Sequence, residues 1–104
     1  MNDIMEPHRC GNMAEVRRAI DRLDEQIMAL VGQRFRYMDA AARIKQERVL
    51  VRDEARKAEV LRKVAAAAAR ENVPPSVALD LYERLIEASI AYEFDRFDAL
   101  RADS

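Results

Sequence analysis

The sequence is poor in the turn residues that connect strands, in cysteine and in tryptophan. It has two glycines, three prolines, one cysteine and no tryptophan in 104 residues, and no segment alternates apolar with polar residues as a half-buried strand does. The lone Cys10 has no partner for a disulfide within the chain. No apolar run is long enough to span a bilayer, and residues 1–12 lack the apolar core of a signal peptide. These absences predict an all-α protein in the cytoplasm, with no membrane partner.

Charged residues are abundant, but the two signs balance. The chain has 18 Lys and Arg against 19 Asp and Glu, intermixed along its length, for a net charge of −1. This balance gives no electrostatic reason to expect nucleic acid as a partner. The sequence also lacks a catalytic Ser-His-Asp pattern and a phosphate-binding glycine loop, and His8 and Cys10 are too few ligands for a zinc site. We therefore predict neither a metal nor another cofactor.

Capping residues and prolines divide the chain into a leader and one helical domain. Residues 1–12 show no apolar period, so we expect a flexible leader followed by a helical domain over residues 13–104. Asn12 and Asp53 are of the residue types that cap helix N-termini, and Pro74 and Pro75 cannot continue a helix. The predicted helices cover residues 13–48, 54–71 and about 75–101.

The first predicted helix is too long for a compact monomer. Its apolar residues recur at intervals of three and four and form a single stripe: Val16, Ile20, Leu23, Ile27, Leu30, Met38 and Ala41. At 1.5 Å per residue the helix would be about 54 Å long, whereas a compact chain of this size has a radius of gyration of about 13 Å. The remaining residues cannot bury the whole stripe. We therefore expect an obligate homodimer in which this helix lies beside its copy.

Polar groups interrupt the apolar faces at four positions. Arg34 and Lys45 fall within the stripe of the first helix, and Ser89 and Glu93 fall on the core side of the third. A buried charge is costly without a counter-charge, so Glu93 could simply pair with Arg34 or Lys45. However, the two cations are about 16 Å apart along the helix axis, which favours two ends of a pocket for an anionic small molecule. Such a site would act by positioning and electrostatics, without a nucleophile.

Four stretches carry a resemblance to a known family: VRRAIDRLDEQIMALVGQRF (16–35), AARIK (41–45), VRDEAR (51–56) and LIEASIAYE (85–93). Over residues 13–100 the chain resembles the all-helical chorismate mutases. The resemblance implies three helices per chain, intertwined in a homodimer with two equivalent active sites. It also implies rearrangement of chorismate to prephenate, the branch step toward phenylalanine and tyrosine.

The resemblance further implies a role for each charged residue of the site. Arg34 and Arg56 would bind the carboxylates of the dianionic substrate, and Arg17 would reach in from the partner chain. Lys45 would donate a hydrogen bond to the ether oxygen of the breaking bond, where negative charge develops. Such a donor accelerates the reaction only if it binds the transition state more strongly than the ground state.

The remaining family positions include two departures. Ser89 would lie near the substrate ring, and the backbone of Asp53 near the ring hydroxyl. At position 57 the bacterial pattern has a glutamate that binds this hydroxyl, but the chain has Lys57. At position 93 bacterial members often have a glutamine that donates to the ether oxygen. The chain has Glu93 there, as fungal relatives do.

Two other functions compete with the mutase prediction. Isochorismate-pyruvate lyases, which eliminate pyruvate in salicylate synthesis, share the fold and the cations at positions 17, 34 and 45. Residues 51–56 resemble the mutases, whereas lyases tend to have a proline-containing loop there, so we favour the mutase. A non-catalytic helical dimerisation module would explain the long helix, but it would not explain Arg34 and Lys45 within the apolar stripe.

Overall fold

The computed structural model describes residues 4–102. These residues form three helices, α1 (Met13–Ile44), α2 (Glu54–Arg70) and α3 (Pro75–Arg101), and two short 3-10 turns, Pro7–Arg9 and Arg48–Val51. No strand occurs within this range. The prediction of an all-α chain with three helices, one of them very long, is therefore confirmed. None of the three helices is both long and apolar enough to cross a membrane.

The chain divides after Arg36 into two compact units, and α1 runs from the first into the second. In the first unit, α1 begins with the predicted cap, since the backbone N–H of Glu15 donates to Asn12 Oδ1 at 2.9 Å. The Glu15 carboxylate in turn accepts a bond of 2.8 Å from the N–H of Gly11. The first bond satisfies one of the donors that a helix start leaves unpaired, and the second holds the residue before the cap against the first turn.

The apolar stripe of α1 is largely uncovered within the first unit. Ile20, Leu23 and Ile27 are each about half exposed (48, 46 and 48%), and Leu30 is 65% exposed. The leader covers part of the stripe, because Ile4 and other leader residues line a small apolar cavity with Val16, Ile20 and Leu23. Exposed apolar surface of this extent is unusual in a monomer, since it gains free energy when it is buried.

The second unit contains the packed core. Three buried residues pack against one another: Ala42 near the end of α1, Val51 of the second 3-10 turn, and Phe97 of α3. Ile90 and Phe94 of α3 pack around them. The helix α2 packs along α3, where the small side chain of Ala68 is buried and allows close approach. Asp53 caps α2 as predicted, its carboxylate accepting the backbone N–H of Arg56 at 3.0 Å. Burial of these residues fixes the position of α3 beside the end of α1.

The end of α1 differs from the sequence prediction. The helix ends at Ile44 rather than at residue 48, so Lys45 lies just beyond the last helical residue. No glycine or proline occurs between residues 44 and 53, so the usual local stop signals are missing. Instead, Arg101 at the end of α3 donates to the carbonyls of Ala42 (3.1 Å) and Lys45 (2.6 Å). The helix thus ends where Arg101, a residue distant in sequence, donates hydrogen bonds to the carbonyls at its C-terminus.

Ion pairs join the start of α2 to α3. Glu87 of α3 accepts hydrogen bonds from Arg52 at 2.6 Å and from Lys57 at 2.8 Å, and Lys57 also contacts Glu83 at 2.6 Å. The hydrogen bonds from Arg52 and Lys57 lower the pKa of the Glu87 carboxyl from 4.5 to about 2. Bonds to Glu83 and Glu87 raise the pKa of Lys57. The network thus favours the charged form of each partner.

Glu87 should make the stability of the protein depend on pH. Because the pKa of its carboxyl falls from 4.5 to about 2 on folding, its stabilisation is complete above the unfolded value and is lost as the pH drops toward 2. Glu87→Gln should therefore lower the Tm near neutral pH and flatten its decline below pH 4.5, when Tm is measured by circular dichroism.

The control for this experiment is Glu25→Gln, which removes an exposed carboxylate of α1 and should keep the wild-type slope. The difference between Glu87→Gln and wild type should shrink at about 1 M salt, because surface charges are screened there. An unchanged slope in Glu87→Gln would show that the pairs with Arg52 and Lys57 do not stabilise the fold.

Candidate active site

Lys45 lies at the junction of α1 with the connection that follows it. Its backbone N–H still donates to the carbonyl of Ala41 at 2.9 Å, although the helix ends one residue earlier. Its side chain is 28% exposed and points toward the second unit's interior, where Nζ lies 3.5 Å from the carbonyl oxygen of Val51. The sequence prediction that Lys45 faces inward is confirmed, but it does so from beyond the helix rather than within it.

Glu93 and Ser89 lie on the buried face of α3, one turn apart. Glu93 is 4% exposed and Ser89 is 3% exposed, as the helical period of this segment predicts. The Ser89 hydroxyl donates to the carbonyl of Leu85, one turn earlier, at 2.6 Å. The carboxylate of Glu93 thus lies in a region from which water is largely excluded, and it needs a counter-charge or a proton there.

Lys45 supplies that counter-charge. Its Nζ lies 2.8 Å from Glu93 Oε2, yet Oε2 accepts no hydrogen bond of acceptable geometry from the described residues. The two groups therefore form a close ion pair whose direction is poor for a hydrogen bond. An ammonium has three donors, and within residues 4–102 the Lys45 ammonium has only this contact and a long bond to Val51. The pair retains capacity to bind a further oxygen atom.

The predicted residues of the α2 start are engaged in other contacts. The Asp53 carboxylate is used by the cap of α2, and the Arg56 guanidinium pairs with Glu59 on the same helix. Both Arg56 and Glu59 side chains are about half exposed, so their ion pair is weak and easily exchanged. Lys57, the residue that departs from the bacterial pattern, is held by Glu83 and Glu87.

Arg17 and Arg34 belong to the first unit. Arg17 is exposed on α1, whereas Arg34 is half-buried on the same helix and makes a contact with its surroundings. The structure therefore brings Lys45 into contact with Glu93 and places Ser89 one turn away. The catalytic and binding roles of all the predicted site residues stay predictions: Arg17, Arg34, Lys45, Asp53, Arg56, Ser89 and Glu93.

A polar cluster that the sequence did not predict lies beside Glu93. The Tyr92 hydroxyl donates to Asp39 Oδ1 at 2.6 Å, and Arg96 Nε lies 3.2 Å from the same oxygen. The hydrogen bond to Asp39 raises the pKa of Tyr92, and partial burial raises it further. The spacing of Tyr92 and Arg96 places them one turn apart on α3, but nothing in the sequence indicates Asp39 as their shared partner. The cluster ties α3 to the last turns of α1.

The arrangement suits one kind of chemistry. A lysine ammonium and a buried carboxyl, both able to reach one added oxygen, can stabilise charge that develops on that oxygen. The second unit presents no serine or cysteine activated by a histidine, since His8 is the chain's only histidine and lies in the leader. Catalysis at this pair would rest on electrostatics and positioning, not on a covalent intermediate.

The comparisons with known proteins agree with this chemistry. Residues 16–94 match the chorismate mutase type II family, a segment that includes Lys45, Ser89 and Glu93. The isochorismate pyruvate lyase of Pseudomonas aeruginosa is 31% identical to the chain over 85 residues, which cover 82% of this chain and 84% of that protein. The family match extends over well more than half of the chain and supports an enzyme that binds a chorismate-like small molecule. The chain belongs to the chorismate mutase type II family.

Proposed function

We propose that the protein is a chorismate mutase, which rearranges chorismate to prephenate within phenylalanine and tyrosine biosynthesis in the cytoplasm. The observation that carries the proposal is the contact of 2.8 Å between Lys45 Nζ and the buried Glu93 carboxyl. A family member with this pair has two groups at hand for the ether oxygen of chorismate. The reaction needs no cofactor, because it consists of bond reorganisation within one substrate molecule.

Lys45 acts in this proposal as the principal donor to the ether oxygen. Negative charge grows on that oxygen as its bond to carbon breaks, so the attraction of the ammonium is stronger in the transition state than in the ground state. Only such a difference raises the rate. The long bond of 3.5 Å from Nζ to Val51 costs little to exchange for a bond to substrate, since bonds of this length are weak.

Glu93 acts as a second donor, and only in its protonated form. A carboxylate has no hydrogen to donate, and an ionised Glu93 would repel the charge that develops on the ether oxygen. The ion pair with Lys45 describes the ligand-free protein. When the dianionic substrate enters, Lys45 can turn toward the ether oxygen.

The arginines bind the two carboxylates of the substrate. Arg34 and Arg56 contribute from one chain and Arg17 from its partner, and a guanidinium can bind a carboxylate through two parallel hydrogen bonds. Arg56 is available for this role, because its ion pair with Glu59 is solvent-exposed and weak. Ser89 lies near the ring, and Asp53 contributes through its backbone because its carboxylate caps α2.

An obligate homodimer completes the proposal. The stripe of α1 exposes Ile20, Leu23, Ile27 and Leu30, and a copy of the same helix carries a complementary apolar stripe. A twofold interface places each residue of one chain against the partner symmetrically, so Arg17 of each chain can serve the other chain's site. The intertwined arrangement is the form of dimer that buries so long a helix.

A second candidate function is an isochorismate-pyruvate lyase. It is favoured by the 31% identity with the lyase of Pseudomonas aeruginosa, and a lyase could use the same Lys45. We prefer the mutase because the connection from Arg48 to Asp53 contains no proline and leads directly into α2 through the Asp53 cap. The VRDEAR stretch thus keeps Arg56 on the first turn of α2.

The proposal is tested with purified protein in an absorbance assay that measures the loss of chorismate and, separately, of isochorismate. We expect chorismate to be consumed with formation of prephenate, and isochorismate to be consumed slowly or not at all. Rapid release of pyruvate from isochorismate, with little loss of chorismate, would favour the lyase. Loss of neither compound would leave only the non-catalytic dimerisation module.

Removal of the two cations should abolish most turnover while the protein stays folded. Loss of one donor to a developing charge typically costs about 3 kcal/mol, or more than a hundredfold in rate. We therefore expect Lys45→Ala and Arg34→Ala to lower kcat/KM for chorismate by at least this order, with the helical circular dichroism spectrum retained at the assay temperature. Lys45→Ala should also lower the Tm, because it leaves Glu93 without its counter-charge. Arg43→Ala, which removes an exposed cation of the same helix, is the matched control. Full turnover in both variants would mean that these cations have a structural role only.

Complementation of inactive chains tests the contribution of Arg17 across the dimer. In a heterodimer of Arg17→Ala and Lys45→Ala chains, one site has both residues intact. Random reassortment should restore about a quarter of wild-type activity, because about half of the dimers are mixed and each has one working site. Two differently tagged Lys45→Ala preparations, mixed in the same way, should recover nothing. A folded monomer at micromolar concentration, or heterodimers without activity, would contradict the proposal.

Glu93 should contribute to turnover as a hydrogen-bond donor to the ether oxygen. Glu93→Gln keeps a donor at this position and should retain substantial activity near neutrality, whereas Glu93→Ala removes the donor and should lower kcat/KM by about a hundredfold. Asp95→Asn removes an exposed carboxylate of α3 and should keep the wild-type kinetics. Equal losses in Glu93→Gln and Glu93→Ala would mean that Glu93 is only a structural partner of Lys45.

A further inference from the structure

Arg101 joins the C-terminal ends of two helices at the position of Lys45. Its Nη1 donates to the carbonyl of Ala42 at 3.1 Å and to that of Phe97 at 3.3 Å. Its Nη2 donates to the carbonyl of Lys45 at 2.6 Å. Ala42 and Lys45 belong to the end of α1, and Phe97 to the last turns of α3. A single guanidinium thus satisfies carbonyls of both helix ends, where the helix dipoles favour a positive charge.

The core fixes the direction of the Arg101 side chain. The guanidinium carbon lies 3.6 Å from the centre of the Phe97 ring, a stacked arrangement that attracts a cation to the ring face. Phe97 is itself buried against Ala42 and Val51, so the ring is held by the packing of the second unit. Arg101 is half-buried. The Phe97 ring covers one face of its guanidinium, and carbonyl oxygens accept hydrogen bonds from the guanidinium edge.

Lys45 depends on such support because it lies outside the regular helix. Its N–H donates to the carbonyl of Ala41, but among the residues that the structure describes no backbone N–H donates to its own carbonyl. The bond of 2.6 Å from Arg101 holds that carbonyl, so the backbone of Lys45 is fixed on both sides. The direction of its Cα–Cβ bond, and hence the reach of Nζ toward Glu93, follows from this backbone position.

We propose that Arg101 is a positioning residue for Lys45. Its guanidinium ends α1 at Ile44 and holds the Lys45 backbone, which directs the ammonium toward Glu93 and Val51. The bonds from Arg101 to the site run to the backbone carbonyls of Ala42 and Lys45, so it acts through the position of Lys45. This inference rests on the proposed function for its kinetic readout, but the geometry on which it depends belongs to the ligand-free chain.

Arg101→Ala should lower kcat far more than it raises KM. A donor displaced by about 1 Å can cost about a hundredfold in rate, whereas the arginines that bind the substrate carboxylates stay in place. Arg101→Lys should recover little of kcat, because an ammonium is a compact charge that cannot bridge two carbonyls while it stacks on a ring. Millimolar guanidinium added to Arg101→Ala should restore part of kcat by occupying the vacated position.

Arg48→Ala is the matched control. Arg48 also stacks on an aromatic ring of α3, 4.5 Å from the centre of Phe94, and it pairs with Asp98 of α3, but it makes no bond to Lys45. Its loss should reduce stability to a comparable extent and leave kcat and KM near the wild-type values. A similar fall of kcat in Arg48→Ala and Arg101→Ala would show that general loosening of the second unit, not positioning of Lys45, is responsible.

A readout that needs no turnover separates this inference from the proposed function. In protein with isotopically labelled lysine, the Lys45 side-chain resonance is identified as the one missing from Lys45→Ala. In Arg101→Ala and Arg101→Lys it should move toward the position of solvent-exposed lysines, and in Arg48→Ala it should stay. An unchanged Lys45 resonance in a folded Arg101→Lys protein overturns the inference even if Arg101→Ala does not fold. Wild-type protein inactive on both substrates, with the resonance shifted as expected, overturns only the proposed function.

Discussion

A buried carboxylate and the ammonium beside it constrain the rest of the second unit. Glu93 is almost fully buried on α3, and an isolated charge there would cost several kcal/mol. Its counter-charge comes from Lys45, at 2.8 Å, across a boundary between two helices. The end of α1 and the buried face of α3 must therefore be held in a fixed position relative to each other. The core of Ala42, Val51 and Phe97 and the cluster of Tyr92 with Asp39 supply the contacts that keep α1 and α3 in this register.

The geometry of the Lys45–Glu93 pair differs from that of the other lysine–glutamate contacts on α3. Well-formed charge-assisted hydrogen bonds are short and directed at the carboxylate. Here the carboxylate oxygen next to Lys45 accepts no well-formed hydrogen bond from the described residues, and the second bond of Lys45 is 3.5 Å long. By contrast, Lys57 holds Glu83 and Glu87 with bonds of 2.6 and 2.8 Å. The chain thus forms well-directed lysine–glutamate bonds elsewhere, and the looser Lys45–Glu93 pair supports the proposed role at the ether oxygen.

The sequence predicted the buried groups well and the end of the first helix poorly. Helical period alone placed Ser89 and Glu93 on the inner face of α3, because that helix is regular throughout its length. The sequence prediction carried α1 past Ile44 to residue 48, because the period is visibly interrupted only from Val49 onward. The true end depends on Arg101, 56 residues from Lys45 in the chain, and a contact over that separation leaves no local signal. For the same reason the sequence left open whether Arg34 or Lys45 pairs with Glu93, and the structure assigns the contact to Lys45.

The most direct test is a structure of the protein with a bound transition-state analogue. The analogue is a dicarboxylate that mimics the cyclic transition state of the chorismate rearrangement. We expect the ether oxygen of the ligand to lie at hydrogen-bond distance, about 3 Å, from both Lys45 Nζ and an oxygen of Glu93. Lys45 should then have left the carbonyl of Val51. A ligand bound elsewhere, with the contact of 2.8 Å between Lys45 and Glu93 and the Val51 bond unchanged, would contradict the claim that this pair is the active centre.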